Sequence, residues 1–97
     1  MASKKAIIIH ERDNVATALV PLKSGTAVSI SVPGGQAKVK IRNPIPMGHK
    51  FALRSIEAGQ EVVKYGEPIG QATAPIGEGE HVHVHNVVSQ RRRKGGV

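Results

Sequence analysis

Apolar residues in this chain come in short runs closed by Gly or Pro, and no stretch holds a helical apolar period over a dozen positions. That pattern predicts an all-β domain. The runs place strands at Ala6–Ile9, Val15–Leu19, Ala27–Val32, Ala37–Ile41, Lys50–Leu53, Glu61–Lys64, Ile69–Thr73 and His81–Val87. Pro33-Gly34-Gly35 joins alternating Val28, Ile30 and Val32 to alternating Ala37, Val39 and Ile41, the pattern of a hairpin whose turn accepts positive φ. Lys38, Lys40 and Arg42 then fall on the face toward water. Asn43-Pro44-Ile45-Pro46-Met47-Gly48 contains two prolines, which lack the donor a ladder needs, so it reads as a loop that delivers His49. Gly66 and Gly70 frame Glu67-Pro68-Ile69 as a further turn.

An internal repeat sharpens this picture. Ala18, Leu22, Gly25 and Val28 recur as Ala52, Ile56, Gly59 and Val62, and more weakly as Ala72, Ile76, Gly79 and Val82, all at one spacing. Each copy fits a corner: a strand ends, an aliphatic side chain tucks under the turn, Gly takes a backbone conformation that a Cβ resists, and a new strand begins. Repeated corners predict a folded-over set of short strands instead of a flat sheet.

Composition limits what such a domain can do alone. The 97 residues accommodate one domain and one core, expected over residues 6–88 between a flexible segment 1–5 and a basic flexible tail 89–97. Only 2% of the residues are aromatic, so Val, Ile, Ala and Leu carry the core, and a chain this small buries roughly 60–65% of its unfolded surface. With no cysteine, disulfides and thiolate metal sites are excluded, which fits a reducing cytoplasm and leaves a partner subunit or self-association as the source of extra stability. The Ala6–Ile9 run is too short for a signal peptide or a membrane span. The net charge of +7 sits at the ends: without Lys4, Lys5, Arg91, Arg92, Arg93 and Lys94, eight basic residues face seven acidic ones. A nearly neutral body without stacking aromatics argues against nucleic-acid binding and leaves Arg91–Lys94 as a solvated tail.

The chemistry-bearing residues are histidines. In His81-Val82-His83-Val84-His85-Asn86 a strand period of two puts the three imidazoles on one face and Val82 and Val84 on the other. Next-but-one residues lie roughly 6.5–7 Å apart, so two rings can lean toward one ion or one substrate, or the face can simply be wet. His49, beside Lys50, can polarise a carboxylate or hydroxyl, or be loop polarity. His10, near Glu11 and Asp13, reads equally as a surface residue. A Gly-x-Ser-x-Gly elbow, a phosphate-binding Gly-x-x-x-x-Gly-Lys and a His-Glu-x-x-His helix are all missing, so complete catalysis within this chain is not expected.

Four motifs in order, His10-Glu11-Arg12-Asp13-Asn14-Val15-Ala16, Gly48-His49-Lys50-Phe51-Ala52-Leu53, Val63-Lys64-Tyr65-Gly66 with Ile69-Gly70-Gln71-Ala72, and His83-Val84-His85-Asn86, resemble the small domain of altronate/galactarate dehydratases, a member of the SAF superfamily. The resemblance covers roughly residues 6–88. It implies a β-clip of short strands folded over themselves, in agreement with the corners.

The resemblance also implies a role. The small domain would be one component of a two-component, metal-dependent sugar-acid dehydratase in the cytoplasm, with this chain stopping where the large component begins. A divalent metal, Fe, Mn or Mg, would be held mainly by the large subunit. His49, His83 and His85 would be catalytic, and Lys50 and Asn86 would bind substrate. His81 stands where the family is expected to have a tryptophan-like residue, so no role is carried onto it. A small subunit of sulfolactate sulfo-lyase and a stand-alone SAF module for a carboxylate or carbohydrate are the alternatives. Homo-oligomerisation is open, and no membrane or nucleic-acid partner is implied.

Overall fold

The computed structural model describes residues 5–8, 10–32 and 34–89, so the expectations placed on Pro33, on the first four residues and on Arg91–Lys94 lie outside the described residues. Among the described residues nine strands follow one another: β1 (Ala6–Ile7), β2 (Val15–Ala18), β3 (Ala27–Val32), β4 (Gly35–Lys40), β5 (Lys50–Ala52), β6 (Glu61–Lys64), β7 (Glu67–Ala72), β8 (His81–Val82) and β9 (Val87–Ser89). Every pairing is antiparallel, in a central sheet β1-β2-β5-β8, a hairpin β3-β4 and a second sheet β6-β7-β9. The domain is an all-β clip of short strands, as predicted, and among the described residues there is no helix long and apolar enough to cross a membrane.

Strand alternation splits the core in two. Ala16, Ala18 and Phe51 point from the central sheet into a cluster with Leu22, Val28, Ile30, Val39, Ile41 and Ile45. Their sequence neighbours Val15 and Ala52, with Val82, point to the opposite side and join Val62, Ala72, Ile56 and Ile76. The central strands are therefore covered on both faces, which corrects the expectation of a single core. Each fully buried Val, Ile or Phe contributes roughly 1.5–3 kcal/mol relative to exposure.

The corners are four, not three. Ile41, Ile45, Gly48 and Phe51 repeat the spacing of the other copies, with larger residues at the first and last positions. They work in pairs. Leu22 and Ile45 exchange backbone hydrogen bonds, the Gly25 N–H donates to the Ile41 carbonyl, and the Gly48 N–H donates to the Ala18 carbonyl. In the second pair Ile56 and Ile76 exchange bonds, Gly59 donates to Ala72, and Gly79 donates to Ala52. All four glycines have φ between 84° and 90°, which an L-residue resists.

The two halves are tied by Asn14, whose Nδ2 donates to the Glu61 carbonyl at 2.9 Å and whose Oδ1 accepts from the Val63 N–H at 2.8 Å. The neighbouring Asp13 accepts from the Gly66 N–H at 2.8 Å and from the His10 N–H at 3.0 Å. Glu67-Pro68-Ile69, expected as a turn, is strand: the turn is Tyr65-Gly66, and a bulge between Val62 and Val63 shifts the register so that Pro68 pairs with Val63.

Candidate metal centre

His49 is delivered by the second corner. Its carbonyl accepts from Ala18 and its N–H donates to Pro46, so the residue is pinned on both sides just before β5 begins. The β5/β8 register pairs Phe51 with His81 and Lys50 with Val82; one step further, His49 comes opposite His83. Their rings stack at 4.4 Å between centroids and 16° between planes. His81 lies diagonally across, with its Nε2 2.9 Å from the His49 Nδ1 and its backbone N–H donating to Asn43 Oδ1. One ring nitrogen from each of His49, His81 and His83 falls within 4.8 Å of the others, and all three side chains are half-buried.

The strand expected over His81–Val87 breaks. β8 ends at Val82, residues 83–86 turn with the Asn86 N–H donating to the His83 carbonyl, and β9 starts at Val87. Val84 is accordingly 82% exposed instead of facing the core. Asn86 makes the turn: it is buried, its Oδ1 accepts from the His83 N–H at 2.9 Å and its Nδ2 donates to the His81 carbonyl at 2.9 Å. The amide braces the two histidines. His85, on the turn, is exposed and tilted, 5.4 Å from the His81 ring.

Electrostatics favour neutral rings. Burial, then His49, His85, His83 and Lys50, lowers the His81 pKa below its usual value. Burial, then His49, Lys50 and His85, lowers that of His83. Lys50 is half-buried, and burial followed by Lys64 lowers its own pKa. Neutral imidazole is the form that ligates metals. Two ligands at about 2.0–2.1 Å in tetrahedral geometry stand roughly 3.3 Å apart, so the 2.9 Å pair needs to open by only a few tenths of an ångström. An all-imidazole set suits Fe, Zn, Ni or Cu, whereas Mg prefers oxygen.

The structure thus brings together His49 and His83, with Lys50 close enough to act on His81 and His83, sets His85 at the margin, and adds His81, to which the sequence reading gave no role. The i, i+2 spacing from His83 was the available signal. His10 lies elsewhere, exposed, its Nδ1 accepting from the Arg12 N–H at 3.1 Å. Two open clefts, one lined by Ile8, Arg12, Leu53 and Arg54 and the other by Ser24, Lys40, Arg42 and Glu78, contain none of the histidines. The imidazoles form an open patch at one end of the central sheet.

A short-stranded β-clip carrying a histidine cluster at a sheet end defines the class. Residues 4–90 match the altronate/galactarate dehydratase SAF domain, and the chain belongs to that family. It is 50% identical over 80 residues to an altronate dehydratase of Escherichia coli, covering 82% of this chain and 15% of that protein. To an altronate dehydratase of Bacillus subtilis it is 41% identical, over 86% of this chain and 16% of the relative. A (2R)-sulfolactate sulfo-lyase subunit alpha of Chromohalobacter salexigens is 44% identical over 54% of this chain and 55% of its own length. The chain therefore spans about one sixth of the dehydratases it matches.

Proposed function

We propose that this chain is the small component of a two-component, metal-dependent sugar-acid dehydratase, contributing histidines to a site completed by a larger component. The convergence of His49, His81 and His83 within 4.8 Å, in a chain of this family, carries the reading. The sulfo-lyase match adds support, since a protein named as a subunit is 44% identical to this chain over 52 residues.

In this reading the reaction removes water from a sugar acid. A base takes the proton from the carbon beside the carboxylate, the hydroxyl on the next carbon leaves with a proton as water, and the enol becomes a 2-keto-3-deoxy acid. His49, His81 and His83 hold the divalent ion, and of Fe, Mn and Mg it is Fe that suits an all-imidazole set. The ion, when bound, polarises substrate oxygens. His85, outside the triad and exposed, carries a proton to or from substrate. Lys50 pairs with the substrate carboxylate. Asn86, whose amide is engaged by the turn, enters as a positioning residue.

The similarity to sulfolactate sulfo-lyase favours a second reading on the same site, elimination of sulfite instead of water. Assay of the reconstituted complex separates them: turnover of altronate or galactarate supports the first, turnover of sulfolactate alone supports the second. A complex that turns over neither contradicts both.

A further inference from the structure

Among the described residues five large apolar side chains are exposed: Leu19, Val20, Met47, Tyr65 and Val84. Four of the five lie on the segments that carry His49, His83 and His85 or on the segment paired with His49. Met47 lies two residues before His49, and Val84 lies between His83 and His85 on the turn. Leu19 and Val20 sit on the segment that runs antiparallel to Met47-Gly48-His49, tied by bonds between Ala18 and His49, Gly48 and Ala18, and Leu22 and Ile45. Stacking of His49 on His83 joins this pair of segments to the turn. Met47 and Val84 are 65% and 82% exposed, so an apolar surface set against them would remove both from water.

We propose that this apolar rim is the surface on which a larger lyase polypeptide docks, closing the histidine patch from water; the proposal rests on the two-component reading above. The chemistry also indicates what the partner brings. The three candidate donors are imidazole nitrogens with no carboxylate among them, and Lys50 lies close enough to act on His81 and His83, so the patch brings no negative charge of its own to a cation. A facing surface with an apolar centre and carboxylates beside it complements this patch. A second copy of this chain does not, because it sets imidazoles and Lys50 against imidazoles and Lys50. The interface centre then has the usual pattern of apolar anchors around a desolvated polar site.

A photo-crosslinking amino acid at position 84 in native cells, with mass spectrometry of the adduct, identifies the occupant. The purified partner is then titrated calorimetrically with the unmodified chain and with Met47→Asp, Val84→Asp and Tyr65→Asp, each variant's fold checked by circular dichroism. Tyr65 sits on the β6–β7 turn and serves as the exposed apolar control. The expected result is a captured lyase polypeptide of the same family, binding at least tenfold weaker to the Met47 and Val84 variants and unchanged to the Tyr65 variant. Capture of a second copy or of nothing, or equal binding by all variants, overturns the proposal. A complex that forms through this rim yet eliminates neither water nor sulfite leaves docking intact and removes the assigned reaction. A complex that turns over normally with both rim variants does the reverse.

Discussion

His49 Nδ1 and His81 Nε2 face each other at 2.9 Å although 32 residues separate them in the chain. Two imidazole nitrogens that close require a shared proton or a cation between them, and the third ring, His83, stacks on His49. Removing any one ligand should therefore affect the metal, not only the reaction. Replacement of His49, His81 or His83 by Ala is expected to lower the chain's affinity for Co(II) at least tenfold, with His10→Ala unchanged, by equilibrium dialysis with metal analysis. Equal affinity for the His81 variant contradicts the triad.

Asn86 should act through geometry. Asn86→Ala removes both bonds that hold the His83 turn, so Co(II) affinity is expected to fall several-fold and stability by about 1–3 kcal/mol. Asn86→Asp, which retains the acceptor for the His83 N–H, is expected to recover part of the affinity. If Asn86 instead only touched substrate, metal affinity would be the same in all three proteins.

The lowered pKa values of His81 and His83 fix the sign of a pH dependence. Just below the ordinary histidine value of about 6.5 the unfolded chain binds more protons than the folded one, so stability falls as the pH drops through that window and levels off below the folded values. Urea titrations from pH 8 to 5 on the metal-free chain should show this decline, and the double variant His81→Gln, His83→Gln should flatten it. An unchanged slope in the double variant assigns the decline to other groups.

The corner glycines should differ in what they tolerate. A Cβ at Gly59 meets open space, so Gly59→Ala is expected to cost about 1–2 kcal/mol from its φ of 86° alone. A Cβ at Gly79 collides with the Lys40 carbonyl oxygen, a backbone atom that cannot rotate away. Gly79→Ala should cost clearly more, or prevent folding, in the same urea titrations. Similar costs at both positions contradict the close approach of the two halves at Lys40.

The corner geometry was legible because it depends on local requirements: positive φ at Gly25, Gly59 and Gly79, with an aliphatic residue three positions earlier. The fourth corner is masked in the sequence because Ile41 and Phe51 replace the smaller residues of the other copies, while Gly48 keeps the conformational role. At the C-terminal strand, alternation of His and Val favoured a continuous strand, and the amide of Asn86 overrides it by offering its own bonds to the His83 and His81 backbone. The meeting of His49 with His83 follows from the β5/β8 register, a nonlocal property that no spacing along the chain encodes. His81 carries no role in the sequence for a different reason, its departure from the tryptophan-like residue that the resemblance implies, although its Nε2 lies 2.9 Å from the His49 Nδ1.

Imidazole nitrogen resonances during a titration with paramagnetic Co(II) report on the triad most directly. The side-chain signals of His49, His81 and His83 are expected to shift or broaden together at equimolar metal while those of His10 stay in place. If His10 responds equally, or if the three rings are untouched when the metal is in excess, they do not form one metal site.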